Sequence, residues 1–593
     1  VTANPDDAHV APALIDPGDE ATRYLAAAAH LDAELADELV EECLAEPCRM
    51  VLHSPGVRAS VVLREAVAAQ AARRIGSAAL LVLLLITFVL SPGLVLLWLA
   101  SGLAWRTGGW LVARIRRNRQ ANRPQAPPDR GATWGPTAAL WLPVFTVYSF
   151  LIVMPVVYVG AAVRINLGIE TPVVDTPIGY VYIGRLGFPV VALALAMLCV
   201  LFVLRYLPWV LADRRFRFGR FDPDAPPREF VTLACRPFEA RLRRIDAEDE
   251  RNREALPRNL IIYRGHDPFV GAGARVRTWS QAIELHPAAA TPGAPMPEFT
   301  AGDLHRAIAD DVDALRKAPD LSPGGRFAGL EIRDTALLSA GHILHYPDAR
   351  YFFRELEARR DPTLAERYWH GLYDRSPEWL RFYRCFRVES WEREVACSGY
   401  LHVGYERRTL YLEWNGFVLP PIWSRYRTVD TPPTLPALYA LWRALGDLAL
   451  APASIRRRVA DLWRWGRDLR GAGRGRLDTP ERVAHSLGVA ATVREIGTGM
   501  EFPNFFQETD ADRYLKILEQ RVLDAIQRFL TAQGVATDAF SSMVTQINNA
   551  TVMNGCTVIA GSVGGSGNQG AVTTGAAPTT GTSGFSANST PGQ

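Results

Sequence analysis

The sequence predicts a multi-pass α-helical membrane segment joined to a cytoplasmic α+β domain with an antiparallel sheet, followed by a disordered C-terminal tail. Three observations predict it. Stretches 75–105, 137–163 and 186–204 are too apolar for a soluble surface. Between 258 and 430, short β-rich runs with tight connections stand beside an amphipathic helical pattern. From 560 onward Gly, Ser, Thr and Ala dominate, a composition that buries too little apolar surface to offset the entropy of ordering.

The elements follow in chain order. Residues 1–72 read as an acidic helical region: "TRYLAAAAHLDAELADELVEECL" is rich in Ala and Leu with acids on its other face, and "SVVLREAVAAQAARR" runs directly into the apolar stretch. An acidic face of this kind is ordinarily solvated. The chain begins with Val, as a literal reading of a GTG start would, and 1–72 holds no charged-then-apolar signal; the expectation is that no leader has been removed.

Residues 73–212 form the expected membrane region. Stretches 137–163 and 186–204 each supply roughly the 20 residues needed to cross ~30 Å of hydrocarbon. As a single helix, 75–105 would be about 46 Å long, too long even with tilt. It is broken at Ser91, Pro92 and Gly93 in "VLSPGLVLLW". Charge decides how. Arg73 and Arg74 precede the stretch; Arg106, Arg114, Arg116, Arg117, Arg119, Arg123 and Arg130 follow it; Arg205, Arg214, Arg215, Arg217 and Arg220 follow the last apolar stretch. The segment 164–185 carries only Arg164 and Arg185, balanced by Glu170 and Asp175. Arginine-rich loops stay cytoplasmic. A hairpin turning at Ser91–Pro92–Gly93 places every arginine cluster inside; three spans would not. The expected spans are about 75–91, 93–113, 137–163 and 186–204, with both termini cytoplasmic. Arg106 would then sit about 10 Å below the inner surface, within snorkelling reach.

Residues 213–257 read as linker and helix. The α+β domain occupies 258–430. "TWSQAIEL" alternates Trp279, Gln281, Ile283 and Leu285 onto one face. Thr300 and Asp303 make a capping-box pattern before a stripe of Leu304, Ile308, Val312 and Leu315. Runs 383–389, 393–406 and 408–419 read as an antiparallel meander. Residues 431–500 form a basic amphipathic helical region, in which Arg456, Arg457, Arg458, Trp463 and Trp465 are candidates for a membrane interface. A C-terminal helix occupies 501–534, with Thr509 and Asp512 as its capping pair and Gly534 as its stop. The Asn/Gly/Ser/Thr-rich tail spans 535–593.

Composition excludes some chemistry. A net charge of +3 over 593 residues gives no case for nucleic acid as a partner. Lys317 and Lys516 are the only lysines, so the arginine clusters partly reflect the coding bias of a GC-rich bacterial genome. The seven cysteines (Cys43, Cys48, Cys199, Cys235, Cys385, Cys397, Cys556) show no paired short spacing, which predicts reduced thiols and no zinc site. "RGHDPFVGAG" offers a weak anion loop, with Gly265, His266, Asp267, Gly271 and Gly273 as candidates, but it runs from strand to strand and matches neither nucleotide fingerprint. His342 and His345 lack a third ligand or a general-base Glu between them. No cofactor, metal or catalytic residue is expected.

Self-association has its own candidates. Leu515, Leu518, Val522 and Phe529 follow heptad spacing, too briefly for a coiled coil; "TQINNATVMNGCTVIAG" (545–561) alternates Ile547, Asn548, Asn549 and Val552 without charge or proline, as stacked strands require. This stretch resembles the short C-terminal amyloid signalling motifs of bacterial immune proteins, which implies a strand-stacking role. Across most of the chain, "TRYLAAAAHLD", "SPG", "YRGHDPFVGAG" and "RTLYLEWNGF…YRTVD" resemble uncharacterised multi-pass membrane proteins of GC-rich Gram-positive bacteria, a resemblance that implies no activity. The expected protein is a bacterial plasma-membrane protein presenting a cytoplasmic binding or signalling domain, with the lipid bilayer, an unknown cytoplasmic protein and another copy of itself as partners. The alternatives are a membrane-anchored stress or anti-phage effector that self-associates through its C-terminal region, and a membrane-bound enzyme.

Overall fold

The computed structural model describes residues 19–46, 49–90, 95–96, 98–99, 102, 173–176, 179–182, 187–253, 258–288, 298–318, 321–349, 369, 371–469, 479–499 and 501–554. Ser91, Pro92 and Gly93, the expected span 137–163 and most of 93–113 lie outside these residues, as do Cys48 and Cys556.

Helices α1 (Glu20–Leu31), α2 (Ala33–Cys43), the first half of α3 (Ala59–Leu90), α5 (Glu229–Cys235) and α6 (Glu239–Arg253) pack around Leu25, Leu39, Leu63 and Leu242. Asp32 separates the first two helices by capping α2, its Oδ1 accepting from the Glu34 N–H at 3.0 Å. The expected acidic face of α2 is exposed at Glu34, Asp37, Glu38 and Glu41, and ion pairs tie the unit together around it. Arg58 meets Asp19 at 3.0 Å, Arg73 meets Asp37 at 2.9 Å, and Arg228 meets Glu65 at 2.7 Å. Residues 213–253, expected as a linker and helix, fold back into this unit through Phe216, Val231 and Ile245.

α3 runs unbroken from the amphipathic stretch into the apolar one as far as Leu90. The second apolar helix, α4 (Gly187–Leu211), packs on α3 and passes into a π-turn at Ala212–Phe216. Among the described residues, these two helices are long and apolar enough to cross a bilayer. A small hairpin of β1 (Val173–Thr176) and β2 (Gly179–Tyr182) precedes α4.

The α+β region is a six-stranded mixed sheet with strand order β3-β5-β6-β7-β8-β4. The strands are β3 (Arg258–Tyr263), β4 (Ala274–Glu284), β5 (Glu331–Ser339), β6 (Leu380–Ser390), β7 (Val395–Glu406) and β8 (Thr409–Leu419). The expected meander is β6-β7-β8. The expectation of a wholly antiparallel sheet needs correction, because β3 pairs with β5 in parallel. The reason is topological: after β3 the chain crosses to the far edge and returns as β4 against β8.

One face of the sheet is covered by helices. α7 (Ala301–Asp313) carries the expected capping box, Thr300 Oγ1 accepting from the Asp303 N–H at 3.1 Å and Asp303 Oδ2 from the Thr300 N–H at 3.0 Å. Its stripe of Leu304, Ile308 and Val312 is fully buried, with Leu315 just beyond it. α12 (Phe505–Ala532) lies beside it. α12 starts a turn earlier than Thr509, because the side chain of Asn504 accepts from the Phe506 N–H at 2.9 Å and caps the helix there; Gly534, at φ +73°, ends it as expected. Residues 545–554 are helix rather than strand, part of α13 (Asp538–Asn554). Phe540, Met543 and Ile547 recur at helical spacing and are buried, and that periodicity overrides the local strand composition. The remaining helices are α8 (Pro436–Ala449), α9 (Ile455–Leu469), α10 (Pro480–Leu487) and the single turn α11 (Val493–Ile496).

Candidate functional site

The sheet face opposite α7 and α12 is where the fold gathers chemistry. Because β3 and β4 occupy opposite edges, the loop 264–273 must cross this face as a strap. Phe269 seats its centre. The ring lies 5.1 Å from Tyr383 on β6, 4.8 Å from Tyr400 on β7 and 4.8 Å from Phe417 on β8, centroid to centroid. The Arg275 guanidinium stands 5.5 Å from the Phe417 ring, close enough for a cation–π contact.

The glycines of the strap do form an anion nest, and its anion comes from the chain itself. Gly271 and Gly273 hold φ of +91° and +87°, and both N–H groups donate to Glu495 Oε1, at 2.9 and 3.0 Å. Glu495 Oε2 accepts from the Thr492 N–H at 2.9 Å, completing the capping box of α11. One carboxylate thus ties the strap to a helix start. Burial pushes the Glu495 carboxyl above its ordinary value, against these hydrogen bonds. A Cβ on Gly273 would come within 2.4 Å of the Val418 carbonyl oxygen, so the strap passes too close to β8 for any side chain. Of the other candidates there, Gly265 (φ +89°) and His266 are exposed, and Asp267 Oδ1 accepts from the Phe269 N–H at 3.0 Å as a turn former.

Beyond the strap this face is polar, with Thr335 and Tyr383 buried, His402 and Glu413 half-buried and Ser280 exposed. The strand register aligns Thr335, Tyr383, His402, Glu413 and Ser280 across five strands. Tyr383 donates to Glu413 Oε1 at 3.0 Å and Asn415 Nδ2 donates to the same oxygen at 2.7 Å. Burial first, then the neighbouring carboxylate, raise the Tyr383 phenol well above its ordinary value, so it remains a donor. His402 Nδ1 donates to the Phe382 carbonyl at 2.8 Å, and burial lowers its basicity, which leaves Nε2 an acceptor in the neutral ring. Tyr411 and Arg381 stand exposed one step along the strands. With its proton committed to Phe382, His402 cannot relay between Glu413 and Ser280. The ladder is equipped to bind, through acceptors flanked by a cation and aromatic rings, rather than to activate a nucleophile.

The other sequence candidates are placed elsewhere. His342 Nδ1 lies 2.9 Å from Ser339 Oγ, and among the described residues no group of three His, Cys, Asp or Glu side chains could hold a metal ion. Arg456, Arg457, Trp463 and Trp465 are exposed on α9, whereas Arg458 turns inward to Ser454 Oγ at 2.9 Å and Ser77 Oγ at 3.1 Å. Leu515, Leu518, Val522 and Ile547 are buried in this chain's own core with Phe529 packed against them, so these apolar side chains are already engaged. Asn548, Asn549 and Val552 lie on the α13 backbone. The His402–Glu413 ladder had no sequence signal except strand alternation, since its members are aligned by register across separate strands.

Residues 278–566 match the family model of an AbeC-like domain. No curated protein and no solved structure matches the chain. The matched region begins inside β4, so it takes in the ladder and helices α7 to α13, and leaves out β3 and the strap.

Proposed function

We propose that the protein is an integral protein of a bacterial plasma membrane that presents its sheet domain on the cytoplasmic side for binding, with both termini on that side. The observation that carries this is the inside-out surface of α3 and α4. Val82, Leu85 and Val89 on α3 are 56%, 63% and 72% exposed, and Val203 on α4 is 53% exposed, while Gly76 admits Leu204 to the contact between the helices. A glycine that lets the helices approach and large apolar side chains turned outward suit a hydrocarbon solvent. Water would reverse that arrangement.

The packing also favours an even number of crossings. Arg73, at the base of α3, meets Asp37 of α2, and the π-turn after α4 is held to α1 by Arg23 Nη1 donating to the Phe216 carbonyl at 2.8 Å. The start of α3 and the exit of α4 therefore share one side. This supports two or four spans over three, in accord with the arginine distribution. The effector reading lacks such support, because its heptad positions are core.

Washing membranes at high pH tests the anchor. The full chain is expected to stay with the sedimented bilayer and to leave only in detergent. Release by alkaline carbonate, or a monodisperse preparation without detergent, would overturn the proposal.

A further inference from the structure

α8 and α9 fall within the region matched as an AbeC-like domain, yet they pack on α3 and α4 rather than on the sheet. α8 is inverted for water. It buries Ala440 and Ala444 and turns out Leu438, Leu441, Trp442 and Leu445, with Trp442 75% exposed. Alanines at i and i+4 let two backbones approach, which is how helices associate in hydrocarbon.

The contacts order this hairpin along the apolar helices. Tyr439 lies edge-on to Trp209, 6.2 Å between centroids, near the cytoplasmic end of α4. One turn deeper Arg205 Nε donates to Asp447 at 2.7 Å. Ala451 then clusters with Leu201 and Met197 of α4 and Leu80 and Leu84 of α3. On the way back Arg458 reaches Ser77, and Trp465 comes within 5.8 Å of the Arg74 guanidinium. Ser77 to Leu84 is about 10 Å of helix rise, and half the hydrocarbon thickness is about 15 Å. The tip thus lies within one leaflet.

A turn at that depth needs its backbone satisfied by protein. Trp98 Nε1 donates to the Ala449 carbonyl at 2.9 Å, and Ser454 Oγ donates to the Ala451 carbonyl at 2.7 Å. Both charges facing inward are partnered, Asp447 by Arg205 and Arg458 by two hydroxyls. Arg456 and Arg457 remain exposed on the returning helix, suited to snorkel to acidic headgroups, while Arg464 beside Trp463 pairs with Asp461 at 2.5 Å.

We propose that residues 436–469 form a re-entrant helical hairpin that enters the bilayer from the domain side, its outer face covered by lipid chains and its arginines by acidic headgroups. The inference rests on the anchor reading above. The apolar face of the hairpin continues the outward apolar face of α3 and α4, so a single occupant, the bilayer, covers both.

The test reconstitutes the full chain in vesicles containing acidic phospholipid, with Cys48, Cys199 and Cys556 replaced by serine and one spin-labelled cysteine at a time. Labels at Leu438 and Leu445 are compared with Leu85 on α3 and Gln520 on α12, all exposed positions. The expected result is that Leu438 and Leu445 lose collisions with a nickel chelate and keep those with oxygen, as Leu85 does and Gln520 does not. Nickel access at Leu438 and Leu445 with Leu85 still shielded would overturn the hairpin and leave the anchor standing. Nickel access at Leu85 as well would remove both. Shielding of Leu438 and Leu445 from both reagents, with spin–spin broadening, would mean that a second copy covers the face, and would overturn the lipid assignment.

Discussion

Glu495 holds the strap through one oxygen and starts α11 through the other, so its substitutions separate two effects. Glu495→Gln keeps an acceptor for the Gly271 and Gly273 N–H groups but turns an amide donor toward Thr492. Glu495→Ala orphans both strap donors, at about 1–3 kcal/mol for each buried group left unpaired. The expected outcome is a larger loss of stability for alanine than for glutamine. Hydrogen exchange should accelerate at Gly271 and Gly273 before it does in β6 or β7. Equal losses in the two variants, with unchanged exchange in the strap, would show that the nest does not hold it. The glycines and their positive-φ role were legible from "VGAG" alone. Their anion was not, because Glu495 lies 222 residues from Gly273 and its recruitment depends on α11 packing against the strap.

At the scale of the element, the strap is the device that makes the sheet mixed. Phe269 is its anchor, buried against three rings from three strands. Phe269→Ala is expected to cost about 3–5 kcal/mol, measured by chemical denaturation, since a cavity beneath a crossing loop cannot collapse without moving the sheet. Phe269→Leu should recover much of that. Strands and helices with strong periodicity were readable: Trp279, Gln281 and Ile283 share the helix-covered face of β4, Leu285 is buried just beyond it, and the Thr300–Asp303 box is present. What misled the reading was composition without context. β-Branched and Asn residues at 545–554 suggested strand, although Phe540, Met543 and Ile547 already marked a helical stripe. The leucines and Trp442 of α8 passed as part of a basic region because its alanine face gave no soluble amphipathic pattern. The pairing of β3 with β5 could not be read at all, because nothing local specifies which edge a strand joins.

At the scale of the whole molecule, Arg23 joins the helical unit, the exit of α4 and the turn at Ser424–Val429 that follows the sheet. Its side chain is fully buried; it donates to Asp430 at 2.7 and 2.8 Å, to Glu20 at 2.7 Å and to the Phe216 carbonyl, while Tyr24 donates to Asp430 Oδ2 at 2.8 Å. Burial works against ionisation of Asp430, but the hydrogen bonds from Arg23 and Tyr24 outweigh it and hold the carboxyl below its ordinary 3.8. A carboxyl depressed on folding adds stability that is complete above its unfolded value and is lost as pH falls through its folded one. Asp430→Asn should therefore destabilise the protein by about 2 kcal/mol near neutral pH, the range for hydrogen bonds to a charged group. The gap from the unsubstituted protein should narrow steadily below pH 3.8. Thermal unfolding in detergent at a series of pH values measures it. A gap independent of pH would mean that packing, not the ion pair, is what Asp430 supplies. Because the junction links the helical unit and the exit of α4 to the segment that leaves the sheet, its loss should also uncouple the two ends: the helical unit should then unfold at a lower temperature than the sheet, where the intact chain is expected to show one transition.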